Sequence, residues 1–249
     1  MSQNGPGILP ERMREFLSDD VHDFSFERMQ ELNKLMSYYR CAMMEVVTKF
    51  NVLNEQFSLQ FDRNPITGIK SRLKTLPSIL EKLERRGFPV TIGSIEQNLN
   101  DVAGVRVICS FLEDVHMLSE ALMQQDDIQL IQLKDYVRNP KPNGYRSLHM
   151  IVSVPIFLAH EKRYMRVEIQ LRTLAMDFWA TLEHQLRYKK DFVLADSMER
   201  ELYTCASLSA ELDERMDGLR QIVQEQNGKN TAELPAGSIR WVDQSHNLR

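Results

Sequence analysis

The stretch Tyr164–Arg172 places Met165, Val167, Ile169 and Leu171 on one side and Arg166, Glu168, Gln170 and Arg172 on the other. A period of two is the mark of a strand, with one face toward a core. The charged face is either solvated, which is the ordinary reading, or the lining of a site. Three features favour a site. Asp101 stands in a turn just before a second strand, which carries Arg106. The loop Asn139-Pro140-Lys141-Pro142-Asn143-Gly144-Tyr145-Arg146 has a backbone restricted by proline and glycine, and it presents Lys141, Tyr145 and Arg146. A helix led by Lys70, Arg72, Lys74 and Ser78 offers cations beside a helix N-terminus, a natural place for an anion.

These residue types suit one kind of chemistry. Two carboxylates on neighbouring strands can hold Mg2+ through oxygen while phosphates complete its octahedron. Lysine and arginine side chains then neutralise the phosphates. Tyrosine and arginine planes stack on purine bases, worth roughly 1–3 kcal/mol per base. The sum is phosphoryl transfer between nucleotides. The glycine-rich alternatives are absent: Gly228-Lys229 is followed by Asn230, so there is no GxxxxGK[ST], and no GxGxxG occurs. There is no HExxH and no His/Cys set with zinc spacing.

The elements that must position these groups are legible from periodicity and punctuation. Ser25 to Phe61 reads as one long helix. Its apolar positions Met29, Leu32, Met36, Tyr39, Met43, Val46, Phe50, Leu53 and Phe57 alternate spacings of three and four, a heptad seam. That seam serves either the helix's own domain or a subunit contact. Thr75 to Arg86 reads as a helix with Ser78 and Glu81 as a capping box and Gly87 as its stop. Strands are expected at Gly104–Phe111, Ile128–Tyr136, Leu148–Val154 and Tyr164–Arg172, and helices at Asp114–Gln125, Leu174–Lys189 and Asp196–Gln226. The fold class is α+β: a mostly antiparallel or mixed sheet of four or five strands flanked by helices, with long N- and C-terminal helices.

The chain has 249 residues, 43% hydrophobic and 27% charged, enough to bury a core without staples. A formal net charge of -4 argues against a coat for long nucleic acid. The average hides six basic residues against two acids between Ile69 and Val90, and four against one between Lys134 and His149. Basic stretches in a near-neutral chain suit a small polyanion. Cys41, Cys109 and Cys205 form no CxxC pair, so a reducing, cytoplasmic setting is expected. No apolar run reaches the length of a membrane span, and the N-terminus lacks the pattern of a secretory signal.

Five segments in order carry a resemblance: Ser71-Arg72-Leu73-Lys74-Thr75-Leu76-Pro77-Ser78-Ile79-Leu80-Glu81-Lys82; Leu99-Asn100-Asp101-Val102-Ala103-Gly104-Val105-Arg106; Asn143-Gly144-Tyr145-Arg146-Ser147-Leu148-His149; Val167-Glu168-Ile169-Gln170-Leu171-Arg172-Thr173; and Phe178-Trp179-Ala180-Thr181-Leu182-Glu183-His184, followed by Tyr188-Lys189. Over residues 25–225 the chain resembles the synthetase domain of the RelA/SpoT family and is most similar to the small alarmone synthetases. The resemblance implies a nucleotidyltransferase-like fold, divided as a segment 1–24, a long helix 25–63, a synthetase domain 64–190, C-terminal helices 191–226 and a flexible tail 227–249. It implies a GTP/GDP pyrophosphokinase that moves the β,γ-pyrophosphate of ATP to the 3′-hydroxyl of GTP or GDP, releasing AMP and making (p)ppGpp.

Carried over by motif, Asp101 and Glu168 match the two Mg2+-binding acids, and Glu168 is also the candidate base. Arg72 and Arg106 match the pair that sandwiches adenine, while Lys74, Ser78 and Lys82 match positions near the ATP phosphates. Tyr145 matches the residue that stacks on guanine. Lys141, Arg146, His149 and Gln170 are expected around the phosphates and ribose of the guanine nucleotide. The resemblance further implies a homotetramer. The long family members carry a hydrolase domain with an HD metal pair. Here His22-Asp23 has no earlier histidine to join it, so synthesis without hydrolysis is expected. Trp179 and His184 read as packing or helix-face residues, Cys109 as core, and a structural hydrogen bond is an alternative use of His149. Binding of single-stranded RNA is an alternative use of the basic, aromatic loop and is not expected as the main function.

Overall fold

In the first long helix, α1 (Phe26–Phe61), the apolar seam meets a sheet rather than another subunit. Leu32, Tyr39, Val46, Phe50 and Leu53 are buried, and Met29, Met36, Met43 and Phe57 pack at the margin of the same core. Burying a side chain such as Val46 or Phe50 contributes about 1.5–3 kcal/mol. The seam therefore holds the helix to its own domain. The computed structural model describes residues 26–61, 63–187 and 195–232. Ser25, the His22-Asp23 pair, Tyr188-Lys189 and the end of the tail lie outside the described residues.

The other elements are β1 (Ile66–Leu73), α2 (Leu76–Arg85), α3 (Ile92–Asn98), β2 (Ala103–Cys109), α4 (Leu112–Met123), β3 (Gln129–Asp135), β4 (Leu148–Phe157), β5 (Lys162–Thr173), α5 (Leu174–Arg187) and α6 (Asp196–Ala232). The strands form one five-stranded mixed sheet in the order β1-β2-β5-β4-β3. The β2–β5 pair is parallel and the other pairs are antiparallel. Met165, Val167, Ile169 and Leu171 join Val105, Val107, Met150, Val152 and Val154 in the core beneath α1. The opposite face carries Arg106 on β2, His149 on β4 and Arg166, Glu168, Gln170 and Arg172 on β5, beside buried Ile108 and Ile151.

Several boundaries differ from the sequence reading, each for a physical reason. Lys70 and Arg72 lie on β1, not at the head of a helix. Pro77 stands in the first turn of α2, where its ring denies helix to the residues upstream. The N-cap of α2 is Thr75, whose hydroxyl donates to Ser78 Oγ at 3.0 Å; the expected Ser78/Glu81 capping box does not form. Gly87 does stop this helix, with φ of 69°. Strand β2 ends at Cys109 because the Asp114 carboxylate accepts from the Phe111 N–H at 3.1 Å and starts α4 there. Helix α3, capped by Thr91, had no sequence expectation, and α6 runs through Gly228 to Ala232, past the expected end at Gln226.

Candidate active site

Sheet register assembles the site. On β1 and β2, Lys70 stands opposite Arg106 and Arg72 opposite Gly104. On β5, Glu168 stands level with Gly104 and Gln170 with Arg106. On β4, His149 stands opposite Gln170. Alternation places all of these on the one face that the core does not use. Helix α5 leans over it, and the cleft of about 460 Å³ between them is lined by Lys70, Arg72, Arg106, Glu168, Gln170 and Thr181, among others. That volume is in the range of small-ligand sites. Gly104 leaves its floor open, because a Cβ there would meet nothing closer than 3.8 Å.

Asp101 precedes β2 and accepts from Lys74 Nζ at 2.8 Å and Lys82 Nζ at 2.5 Å, both on Oδ2. Its Oδ1 is buried without a hydrogen-bond partner. Burial pushes the Asp101 carboxyl up, but the two lysines outweigh it and hold the group below the usual carboxylate range. Glu168 follows the same logic. Burial raises it, His149 lowers it, Asp101 raises it again and Gln170 lowers it, leaving it below its ordinary value. Each carboxyl is therefore ionised at neutral pH, and Glu168 feels the charge of Asp101 across the β2–β5 pair.

Tyr145 leaves the 139–146 loop toward the cleft. Its hydroxyl lies 2.8 Å from His149 Nε2 and accepts from Arg172 Nη2 at 2.7 Å. Lys141 Nζ stands 4.8 Å from the centres of both the Tyr136 and Tyr145 rings. The loop is fixed against α6. Gly144 has φ of 84°, and a Cβ on it would stand 2.5 Å from the Ala206 Cβ, so only glycine fits. Trp179 Nε1 donates to Leu202 O at 2.9 Å, tying α5 to α6, so the residue packs as expected.

The expected site residues do not all converge. Arg72, Arg106, Glu168, Gln170 and Tyr145 line the cleft, whereas Asp101, bound by Lys74 and Lys82, stands outside that lining but near enough for its charge to act on Glu168. Ser78 is exposed on α2, with its hydroxyl bonded to Thr75. Arg146 lies outside the cleft lining and faces α6, where its buried Nη1 is 3.8 Å from Asp213 Oδ2 and makes no hydrogen bond. Asp177 has no assigned place in the sequence reading, while Lys70 enters it only as part of a cationic helix start and Arg172 only as part of the charged face of β5. Asp177 accepts from Lys70 at 3.0 Å, Arg106 at 3.2 Å and Arg172 at 3.3 Å. Burial raises its carboxyl, and these cations bring it below the usual range. Arg172 shares the Glu168–Gln170 face by simple alternation, which is the signal that marks it; Asp177 carries no such signal.

Comparison with known proteins agrees with this arrangement. The sequence model for the region found in RelA / SpoT proteins matches residues 71–192, which contain all the residues named above for the site except Lys70. The GTP pyrophosphokinase YwaC of Bacillus subtilis (strain 168) is 38% identical over 208 residues, covering 81% of this chain and 99% of its own. The GTP pyrophosphokinase YjbM of the same organism is 35% identical over 187 residues, 75% of this chain and 87% of its own. Among solved structures, the small alarmone synthetase 1 of Bacillus subtilis bound to its product pppGpp matches with a TM-score of 0.70 at 34% identity, covering 77% of this chain and 97% of that one.

Proposed function

This chain belongs to the RelA/SpoT family as a small alarmone synthetase, and from that premise we propose how its cleft divides the work. The activity is that of a GTP pyrophosphokinase. The 3′-oxygen of GTP or GDP bonds to the β-phosphorus of ATP, the α,β-bridging bond breaks, and AMP leaves with the bridging oxygen.

Arg72 and Arg106, on adjacent strands, take the adenine between their planes. Lys74, Lys82 and the start of α2 with Ser78 receive the ATP phosphates. Tyr145 stacks on guanine, while Lys141, His149 and Gln170 order the ribose and phosphates of that nucleotide. Arg146 holds the loop to α6. Glu168 faces the 3′-hydroxyl. Because it is ionised well below neutrality, it is a weak base, and its main service is to orient the hydroxyl and take a hydrogen bond from it.

Asp101 and Glu168 are also the residues that would hold Mg2+. The donor set fits: two ionised carboxylates, Glu168 on β5 and Asp101 just ahead of the neighbouring β2, with Asp101 Oδ1 buried and unpartnered while the lysines occupy Oδ2. Among the described residues no group of three or more His, Cys, Asp and Glu is placed to hold a metal ion, so phosphates and water would supply the other ligands. Bound there, the ion would neutralise charge that builds on the phosphate oxygens during transfer.

The single observation that supports this reading most is the convergence of Glu168, Arg72 and Arg106 on one sheet face, with Asp101, just ahead of β2, near enough for its charge to act on Glu168. Incubation with ATP, Mg2+ and GTP or GDP is expected to yield AMP and a guanosine nucleotide pyrophosphorylated on its 3′-hydroxyl. Transfer only to a pyrimidine acceptor, or none, would overturn it. Replacing Tyr145 by alanine removes the stacking platform and is expected to raise the guanine-nucleotide KM roughly 10-fold or more. An unchanged KM would reject stacking.

We further propose a homotetramer working in the cytoplasm. The α1 seam is spent on the core, but α6 leaves Leu208, Leu212, Leu219 and Ile222 exposed at 60%, 54%, 57% and 53%, along one stripe. Light scattering is expected to give four times the chain mass, reduced by Leu212→Glu with Leu219→Glu. A monomer in the unaltered protein would contradict it. Among the described residues no helix is long and apolar enough to cross a membrane.

A further inference from the structure

Arg172 is 4% exposed and lines the cleft together with Arg106 and Tyr145. Its Nη2 carries two hydrogens. One is given to Tyr145 Oη at 2.7 Å and the other to Gln170 Oε1 at 2.9 Å. A guanidinium only donates, so each bond fixes the orientation of the group that receives it. The Gln170 amide is left presenting Nε2, which donates to Glu168 Oε2 at 3.2 Å. The Tyr145 hydroxyl, accepting from Arg172, also makes a hydrogen bond with His149 Nε2 at 2.8 Å. The other ring nitrogen of His149, Nδ1, is 3.8 Å from Glu168 Oε1. Two arms that start on one nitrogen thus lead to the two oxygens of one carboxylate, the first by hydrogen bonds throughout and the second with a last step of 3.8 Å. Arg172 Nη1 is anchored in turn on Asp177 Oδ1 at 3.3 Å.

We propose that Arg172 is a positioning residue for the transfer step, holding Glu168 in its working orientation through Gln170 on one side and through the Tyr145 hydroxyl and His149 on the other. The proposal rests on the reading of Glu168 as the carboxylate that faces the 3′-hydroxyl. It gives Tyr145 two separable duties: the ring is a platform for guanine, and the hydroxyl is a link in the arm. Lysine cannot replace Arg172, since a point charge on a flexible stem does not reproduce the planar fork.

The test compares Arg172→Lys, Tyr145→Phe and the double variant in the full chain, by steady-state kinetics with ATP and GTP and by calorimetric GTP binding. Misplacing a reacting group by about an ångström costs up to roughly 10²-fold in rate, so Arg172→Lys is expected to lower kcat roughly 30-fold and Tyr145→Phe roughly 10-fold. KM and the binding constant for GTP are expected to stay within about threefold, because the ring and the base contacts remain. The double variant is expected to fall short of the product of the single losses, since both changes cut the same arm. A merely structural role would instead weaken GTP binding and kcat together. Should Arg172→Lys fail to fold, Tyr145→Phe alone carries the test. A Glu168→Gln variant run beside them separates the two levels. Retained turnover there removes the reading of Glu168 itself. Loss of turnover there, with wild-type kcat in Tyr145→Phe and Arg172→Lys, overturns the role given to Arg172.

Discussion

Glu168→Gln is expected to lower turnover by roughly 10²-fold or more, at least about 2.7 kcal/mol of barrier. The substitution keeps size and hydrogen-bonding capacity, so it isolates charge. Glu168 stands level with Gly104 on β2 and opposite Ile151 on β4, in the middle of the sheet where the backbone has little freedom to compensate. Its carboxylate is ionised at neutral pH despite burial, and an amide in its place neither accepts a hydrogen bond as strongly nor attracts a cation. The loss should fall on kcat with the KM for GTP little changed, because Tyr145 and Lys141 still meet that nucleotide. Turnover within a few fold of the parent enzyme would remove Glu168 from the chemistry.

Asp101→Asn is expected to be of similar size in turnover and to carry a second signature. Lys74 and Lys82 are side chains 18% and 14% exposed that share one carboxylate oxygen. Without its negative charge they repel each other in a half-buried setting, so breaking the pair costs a few kcal/mol in addition to activity. Thermal or denaturant unfolding measures that cost. The two lysines would also be free to bind phosphate more tightly, so the KM for ATP should fall or stay level while kcat collapses. A variant that keeps both stability and kcat would show that Asp101 is neither the anchor of those lysines nor a ligand of the cation.

Much of this arrangement was legible in the residues alone because period two is such a strong constraint. Met165, Val167, Ile169 and Leu171 could only be core, and once they were, Glu168, Gln170 and Arg172 had to share the other face. The α1 stripe was equally plain, but its partner was not: the same spacing serves a sheet or a second helix, and only the fold decides. Strand β1 escaped because Ile66–Leu73 is an edge strand with mixed exposure, so its apolar residues do not alternate. Its basic residues looked like the lead of the next helix until Pro77 fixed where that helix begins. Asp177 escaped because its meaning is entirely tertiary: Lys70, Arg106 and Arg172 come from three strands and meet it only after the sheet is built. Arg146 shows the converse: its motif pointed to the guanine nucleotide, and its nearness to Asp213 on α6 could not be read from spacing.

The pairing of Asp101 with Glu168 around one divalent cation is the point on which the account turns. Titration of the full-length protein with Mn2+ in place of Mg2+, in the presence of a non-hydrolysable ATP analogue and followed by electron paramagnetic resonance, measures it without relying on turnover. The expected result is one tight ion per chain in the unaltered protein and its loss in both Asp101→Asn and Glu168→Gln. Undiminished binding in either variant would contradict the account.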